Sequence, residues 1–440
     1  MIWLILLFGF GLRLISLNQS LWLDEATTSS VASKFSFSEI ITKFSPADFH
    51  PPLYYLVLRG WSMVFGFSEI SLRIPSVIFG VVTIYVVYLI GKNIFNKKVG
   101  LVSSLFLATG GLHIYYSQEA RMYALTALFV SCLVYLFIKK RWLLFSASLV
   151  LLGMTDYVAL LIVPIFWIVG RKDWRKLVIS HLPLAISYFF WLPILLQQFS
   201  AGLAASQSAW GNLLGRSSLK EIILIPVKFM LGRISFEDKW LYGLLVAVVS
   251  SIYGYLLFRS IRLMRSIRNL KLLLLWLIVP VILAVVIAFK LPILSYFRLL
   301  FVLPAFYLLL AGGTQSLPKR WRNLFVVLIL FVNLTSSILY LVGPRFQRED
   351  WRSMAKALGS SKIVFPANSQ KEALSYYGKG DQIINSDQIY KKGKEIWLSR
   401  YVWEVFDPSD IARQRIESLG YNKTDEYNFN GVVVWKYLKL

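Results

Sequence analysis

Two adjacent carboxylates, Asp24 and Glu25, directly follow the first apolar segment of a chain that otherwise contains few acidic residues. A second acidic motif, Glu119 with Arg121, follows a later apolar segment. A positioned carboxylate can remove the proton of an attacking hydroxyl group as a general base. Arginine can neutralise the charge that develops on a phosphate leaving group. These residue types therefore indicate group transfer from a phosphate-linked donor to a hydroxyl.

The composition indicates a polytopic α-helical membrane protein. Of the 440 residues, 57% are hydrophobic and only 16% are charged, whereas a soluble domain has about 25% charged residues. The net charge of +24 comes from short basic runs between apolar segments, which is the pattern of cytoplasmic loops and predicts no nucleic-acid partner. The single cysteine, Cys132, excludes an intrachain disulfide, and three scattered histidines are too few for a histidine-built metal cluster.

The apolar segments predict about eleven transmembrane helices, with the N-terminus inside and the C-terminus outside. Residues 1–17 lack the basic start and the cleavage site of a signal peptide, so they are predicted as the first span. With this topology every strong basic run lies on the cytoplasmic side. The other predicted spans are residues 72–95, 99–115, 123–138, two short helices within 142–170, then 177–197, 240–258, 272–289, 295–312 and 324–342.

The remaining segments are predicted to lie on the outer side. The first outer loop, residues 18–71, is predicted to contain an interfacial helix at 35–44 and an apolar stretch at 50–66 that is interfacial or re-entrant rather than spanning. Residues 198–238 are predicted to form a polar outer loop. The transmembrane domain is predicted to end at residue 343, and residues 344–440 to form a small α/β extracytoplasmic domain. Its predicted strands and helices are strands 363–365, 396–398 and 432–435, and helices 369–378 and 408–420.

This topology brings the acidic residues of several loops to one outer lip of the membrane. A carboxylate at the centre of a membrane helix costs about 2.5–3.5 kcal/mol, so acidic residues near lipid call for an explanation. Asp24 is the predicted general base with Glu25 in support, although these two roles could be reversed. One base without a covalent intermediate predicts inversion at a sugar carbon. The cations predicted to neutralise a lipid phosphate are Arg121 and Arg298, with Arg13 and Arg73 as further candidates.

An ordered set of motifs resembles the GT-C membrane glycosyltransferases. The branch in question is PMT-like, the family 39/83 group that includes protein O-mannosyltransferases and aminoarabinose transferases. The motifs cover most of the chain in family order: LWLDEA at 21–26, HPPLYY at 50–55, LRIPS at 72–76, YSQEARMY at 116–123, FRLL at 297–300 with Pro304, and REDWR at 348–352.

The resemblance implies a polyprenyl-phosphate-linked sugar donor and transfer on the outer face of the plasma membrane. The acceptor would be a lipid, a polysaccharide or a protein. In several relatives a divalent metal ion helps to hold the lipid phosphate; Asp24, Glu119 and His50 are the candidate ligands here, without a diagnostic set, and no cofactor is certain. Beside the catalytic pair, the predicted substrate-binding residues are His50, Tyr54, Arg73, Glu119, Arg121, Tyr123 and Arg298.

Two other classes of function stay open from the sequence. A polytopic transporter or lipid flippase would use Asp24 and Glu119 as substrate or ion contacts. A non-catalytic membrane assembly protein would use its outer domain to bind partners. The transporter is disfavoured because the chain has no internal repeat, because its spans contain almost no acid, and because the first loop is predicted to carry surface helices.

Overall fold

The computed structural model describes residues 1–207, 217–263, 269–366, 371–389 and 393–439. Up to residue 342 the described chain is almost entirely helical. Its helices are α1 Ile2–Leu14, α2 Leu23–Lys34, α3 Phe37–Glu39, α4 Leu53–Phe65, α5 Glu69–Ile94, α6 Lys97–Thr109, α7 Gly111–Ser117, α8 Tyr123–Ile138, α9 Trp142–Gly153, α10 Val163–Val169, α11 Trp174–Gln207, α12 Leu219–Leu231, α13 Lys239–Arg262, α14 Leu270–Ile287, α15 Leu303–Gln315 and α16 Lys319–Val342.

The apolar helices coincide with the predicted spans. By length and composition, α5, α11, α13, α14 and α16 are each able to cross a membrane. Helices α6 and α7 form one further apolar pair, bent by 63° at Gly110. Five shorter apolar helices fall at the remaining predicted positions, at Ile2–Leu14, Tyr123–Ile138, Trp142–Gly153, Val158–Val169 and Leu300–Gln315. The number of crossings and their direction remain predictions.

The turn between α5 and α6 shows how the sequence sets the helix packing. The Asn96 side chain accepts hydrogen bonds from the backbone N–H groups of Lys98 and Val99, so it caps α6 directly after α5 ends. The two helices then run back along each other at close range. A Cβ atom at Gly100 would lie 2.6 Å from the carbonyl oxygen of Tyr88, so only glycine fits at this crossing.

The prediction of a polar loop at residues 198–238 is wrong over much of its length. Residues 198–207 continue α11, and Leu219–Leu231 form α12, with Phe229, Met230 and Leu231 buried. Serine and alanine in the first segment are compatible with a helix, and the apolar residues of the second recur at helical spacing. Residues 208–216 of the predicted loop lie outside the described part of the chain.

The first outer loop contains more helix than the sequence predicted. Helix α2, which carries Asp24 and Glu25, was not predicted. In the predicted segment 35–44, a capping box between Ser36 and Glu39 starts the single turn α3. A π-helical turn, Ile40–Phe44, follows it. Helix α4 occupies the other segment that was predicted to be interfacial.

After residue 343 the chain forms a five-stranded sheet with four short helices. The strand order is β2-β1-β3-β5-β4, with β1 parallel to β2 and β3 and the other pairs antiparallel. The predicted strands coincide with β1, β3 and β5. The elements β2, β4 and α17 were not predicted. Residues 369 and 370, which belong to the predicted helix 369–378, lie outside the described part of the chain. The elements are β1 Lys362–Val364, β2 Ile383–Ile384, β3 Glu395–Ser399, β4 Tyr421–Phe429, β5 Val432–Lys439, α17 Trp351–Leu358, α18 Glu372–Tyr376, α19 Trp403–Phe406 and α20 Ile411–Ser418.

One face of the sheet packs towards the membrane helices. Trp351 of α17 and Trp397 of β3 belong to the same buried apolar cluster as the helical bundle. The opposite face has its own small core with α20. The Tyr376 hydroxyl donates to the carbonyl oxygen of Phe67 at 2.8 Å, which fastens α18 to the first outer loop. The sheet domain therefore packs against the first outer loop, which carries the acidic pair.

Candidate functional site

Helix α2 places Asp24 and Glu25 in opposite environments. Both lie in its first turn, where acidic side chains interact favourably with the helix dipole. Consecutive helical residues are rotated by about 100°, since a turn has 3.6 residues, so the two side chains diverge. The Asp24 side chain is 41% exposed, whereas that of Glu25 is completely buried.

Glu25 is held by hydrogen bonds on both of its oxygens. Its Oε1 accepts from Nε of Arg73 at 2.8 Å and from the backbone N–H of Ala120 at 2.8 Å, and its Oε2 accepts from Arg73 at 2.5 Å. The other N–H groups of Arg73 donate to the carbonyl oxygens of Leu17, Gln19 and Ser20. Arg73, predicted to bind substrate, is thus buried and joins α5, α2 and the first loop.

Arg348 completes this buried network from the beginning of the C-terminal part. Its Nε lies 3.5 Å from Oε2 of Glu25, and its second guanidinium nitrogen donates to Oε2 of Glu119 at 3.4 Å. It also donates to the Tyr340 hydroxyl at 2.9 Å and stacks on the Tyr115 ring. The sequence offered only one signal for this residue, its place in the REDWR motif, and the site prediction omitted it.

Glu119 is buried beside a second carboxylate. Burial raises the pKa of Glu119 to about 7, because the attraction of Arg348 does not offset the loss of solvent and Glu25 adds repulsion. Its Oε1 has no hydrogen-bond partner among the described residues. Glu119, predicted to bind substrate, therefore lies behind Glu25 rather than beside Asp24 in the exposed part of the site.

Asp24 faces a polar chain that leads to His50. Its Oδ2 lies 3.6 Å from Arg121, whose guanidinium donates to the Tyr55 hydroxyl at 3.4 Å. The Tyr55 hydroxyl donates to Asp48 at 2.9 Å, and Asp48 lies 3.4 Å from Nδ1 of His50. The structure thus brings Asp24, Arg121 and His50 together, as predicted, with Tyr55 and Asp48 as links that were not among the predicted site residues.

A cavity of about 330 Å³ opens next to this chain. Its walls are mostly apolar and come from α11, the first outer loop and the segment before α15. Among them stand polar groups of His50, Asp156, Gln198 and Arg298. Arg298 donates to the carbonyl oxygen of Pro292 at 2.5 Å. The cavity therefore combines an apolar interior with a small number of fixed polar groups, which is typical of ligand sites.

The remaining predicted site residues are dispersed. The Tyr54 hydroxyl is buried and bonded to Ser76 at 3.0 Å, away from the cavity lining. Tyr123 is buried and packs edge-on against Phe297. Arg13 lies inside the helical bundle, 2.6 Å from Nδ1 of His113. Tyr54 and Arg13 thus support the fold.

The proposed metal ligands do not assemble. No group of three His, Cys, Asp or Glu side chains suited to a metal ion occurs within the described ranges. Asp24 faces Arg121, and Glu119 is bonded to Arg348. Because each of these carboxylates already has a cationic neighbour, Asp24, Glu119 and His50 do not fit a metal site.

A further cation at the site was not predicted. The Arg233 guanidinium donates to the Tyr115 hydroxyl at 2.8 Å and lies over its ring, 4.6 Å from the centroid. The residue is exposed, and it has no carboxylate partner in the part of the chain that the structure describes. It follows α12, in the region that was predicted to be a loop, so its neighbours could not be predicted.

Comparisons with known proteins agree with this fold. The family model of dolichyl-phosphate-mannose-protein mannosyltransferases matches residues 49–197. A search of curated protein sequences found no significant match. The structure of ArnT from Cupriavidus metallidurans bound to undecaprenyl phosphate aligns with 98% of this chain and 96% of its own, at 13% identity and a TM-score of 0.53.

The archaeal oligosaccharyltransferase AglB from Archaeoglobus fulgidus, in complex with an inhibitory peptide and a dolichol-phosphate, is also similar. It aligns with 99% of this chain and 73% of its own, at 11% identity and a TM-score of 0.50. The apo form of the oligosaccharyltransferase from the same organism gives 12% identity and a TM-score of 0.53, over 100% of this chain and 74% of its own. The fold is that of GT-C membrane glycosyltransferases. The family match and these shared folds agree with the resemblance of the sequence motifs to PMT-like GT-C glycosyltransferases.

The buried network generates a prediction for Arg348. Replacing it in Arg348→Met leaves Glu25 and Glu119 without one of their cations, so we expect a loss of about 3–5 kcal/mol in the free energy of unfolding. The control Arg345→Met removes a surface ion pair with Glu237 and should cost less than about 1 kcal/mol. Chemical unfolding of the purified protein measures both. Equal stability of the two variants would contradict the structural role of Arg348.

The raised pKa of Glu119 generates a pH prediction. In the folded state the Glu119 carboxyl has a pKa of about 7, whereas its ordinary pKa in the unfolded chain is 4.5. Between these two pH values the folded state binds a proton that the unfolded chain does not. Stability should therefore rise as the pH falls from about 8 to about 5.5, with a slope of at most about 1.4 kcal/mol per pH unit. Glu119→Gln should lack this contribution. Glu39→Gln is the control, because the Lys43 hydrogen bond keeps the pKa of Glu39 at about 2. Identical pH profiles of wild type and Glu119→Gln would refute the assignment.

Proposed function

We propose that the protein transfers a sugar from a polyprenyl-phosphate donor to an acceptor hydroxyl, with Asp24 as the general base. One observation carries this proposal. Of the two adjacent carboxylates, only Asp24 is exposed to a substrate, with Arg121 3.6 Å away. Glu25 is buried and hydrogen-bonded on both oxygens, so its proposed role is to anchor the start of α2 and thereby position Asp24.

The proposed reaction follows from this single exposed base. The acceptor oxygen forms a bond to the anomeric carbon as its proton moves to the Asp24 carboxylate. The bond from that carbon to the phosphate oxygen breaks, and the polyprenyl phosphate leaves with the electron pair. Because base and leaving group act on opposite faces of the sugar, one displacement inverts the anomeric configuration. The Arg121 guanidinium, 3.6 Å away, orients the Asp24 carboxylate by direct attraction.

The cavity beside Asp24 is the proposed donor site. Its apolar walls suit a polyprenyl chain, and Arg298 in its lining offers a cation for the lipid phosphate. Asp156 in the same lining would repel a phosphate if ionised, but burial raises the pKa of this carboxyl and favours its neutral form. The structures of ArnT with undecaprenyl phosphate and of AglB with dolichol-phosphate support this class of donor.

The proposed cellular setting follows from the predicted topology. Cytoplasmic basic runs place Asp24, the cavity and residues 344–440 on the outer face of the plasma membrane. The proposed acceptors are a lipid, a polysaccharide or a protein. A structure of the archaeal oligosaccharyltransferase with a tethered acceptor peptide supports the protein class. In this arrangement the transmembrane domain, residues 1–343, carries the donor, and the sheet covers the acceptor side.

An Asp24→Asn variant tests the proposed base. Asparagine keeps the shape of the side chain but cannot take up the proton, so we expect turnover to fall by about 10²- to 10⁴-fold with folding and undecaprenyl phosphate binding retained. Mass spectrometry of glycolipids and glycoproteins from a complemented deletion strain measures transfer. Glu237→Gln, which changes an acid that is 85% exposed, is the control. Normal transfer by Asp24→Asn would exclude Asp24 as the base.

A Gly202→Trp variant tests the donor cavity. Gly202 lines the cavity, and a Cβ atom there meets nothing closer than Phe49, at 3.8 Å. The indole should fill space needed by the lipid and weaken undecaprenyl phosphate binding by at least about tenfold, equivalent to 1.4 kcal/mol. Ser200→Trp places the same side chain at an exposed position of α11 and should bind normally. Unchanged affinity of Gly202→Trp would place the donor elsewhere.

A further inference from the structure

A recess of about 390 Å³ lies in the C-terminal sheet region, apart from the donor cavity. Its volume falls within the range of ligand pockets, about 300–1,000 Å³. It is formed by the end of β3, by α19 and α20, and by the β4–β5 hairpin. The residues used below are Arg400, Trp403, Glu404, Asp410, Arg413 and Trp435. None of them takes part in the proposed transfer step.

One wall of the recess is a ladder of stacked cations and indole rings. The Arg400 guanidinium lies 3.6 Å from the Trp403 ring centroid and 4.3 Å from that of Trp435. Lys423 covers Trp435 at 3.8 Å. Trp403 ends the ladder, with Arg400 as its one cation among the described residues. Trp403 lines the recess and is only partly buried, so its ring can offer an apolar surface to a ligand.

The polar wall of the recess is balanced in charge. Asp410 is bonded by Arg400 and, at 2.6 Å, by Arg413. Glu404 is exposed and has no ion-pair partner in the described ranges. The three cations Arg400, Arg413 and Lys423 balance three carboxylates, those of Asp410, Glu404 and Glu426. A strongly charged ligand therefore gains little net attraction. The wall nevertheless offers hydrogen-bond donors and acceptors side by side.

The backbone is strained where it forms this recess. Val402 and Asp410 have φ angles of +52° and +55°, which lie in the left-handed region. This conformation is rare for a β-branched residue such as valine. Strain of this kind persists where surrounding contacts enforce it, and it clusters at binding sites. Here Val402 fixes the start of α19, which carries Trp403. Asp410 carries the carboxylate that Arg400 and Arg413 both bind.

We propose that this recess is a saccharide-binding subsite for a neutral, hydroxyl-rich ligand. Sugar hydroxyls both donate and accept hydrogen bonds, which matches guanidinium groups beside a free carboxylate at Glu404. The C–H face of a pyranose packs against an indole, which matches the partly exposed ring of Trp403 in the recess lining. Charge balance disfavours phosphates and polyamines, and the polar wall disfavours a lipid tail.

The recess connects to the transfer site through one strand end. Tyr401 follows Arg400 directly, and its hydroxyl donates to Glu349 at 2.9 Å. Glu349 adjoins Arg348, which contacts Glu25 beside Asp24. A glycan held in the recess would thus lie next to the segment that supports the base. The identification of this saccharide as part of the acceptor rests on the proposed function. The proposal that a saccharide binds in the recess does not.

Saturation-transfer NMR on the full chain in lipid nanodiscs tests the subsite. The probes are methyl α-D-glucopyranoside, methyl α-D-mannopyranoside and the charged methyl glucuronide. We expect the neutral glycosides to bind, and the double variant Trp403→Ala/Arg413→Ala to weaken them by about fivefold. The control Trp240→Ala removes an indole that is 91% exposed elsewhere and should bind normally. Glu404→Gln changes an exposed, unpaired side chain without risk to folding, and it should also weaken binding.

Separate outcomes address the subsite and the transfer reaction. Asp24→Asn should lose sugar transfer and keep glycoside binding, so a failure of the proposed base leaves the subsite result standing. Neutral glycosides that bind the double variant and Glu404→Gln as well as they bind wild type would overturn the subsite. Binding of the glucuronide alone would also overturn it.

Discussion

The structure depends on a buried cluster of two carboxylates and two arginines. Glu25 and Glu119 lie side by side out of contact with solvent, and Arg73 and Arg348 balance their charge. Removing a charge from water is costly unless it is paired, so these four side chains must meet for the protein to fold. They come from α2, from the loop before α8, from α5 and from the start of the C-terminal part. The cluster thereby fixes the relative positions of all four elements.

The arrangement of the site follows from this constraint. With Glu25 turned inward, the helical rotation of about 100° per residue turns Asp24 outward, towards Arg121 and the cavity. Asp24, the proposed base, is therefore positioned by its neighbour in the sequence, without strong bonds of its own that would compete with a substrate. The apolar cavity and the polar chain to His50 lie next to Asp24, and the start of the C-terminal part meets the buried cluster through Arg348.

The sequence predicted those features that depend on local pattern. Apolar runs located the apolar helices, and the acidic pair marked the candidate site. Which of Asp24 and Glu25 faces outward depends on the start of α2, which the polar composition of residues 18–34 did not reveal. Arg348 and Arg233 were missed because their roles arise from contacts with residues more than a hundred positions away in the sequence. Strand β4 was missed because it is a polar, exposed edge strand, paired on one side only by β5, and lacks the apolar alternation of a half-buried strand.

The position of Arg348 has a consequence for the biosynthesis of the chain. Glu119 is translated 229 residues before the arginine that contacts it, and the ribosome completes most of the helical bundle in that interval. During membrane insertion Glu25 can already pair with Arg73, but Glu119 must remain hydrated or protonated, since the arginine that contacts it does not yet exist. The site is thus assembled last, when the segment after α16 emerges and docks. A nascent chain released before that point carries the described helices from α1 to α16 and still lacks one of the two arginines of the buried cluster.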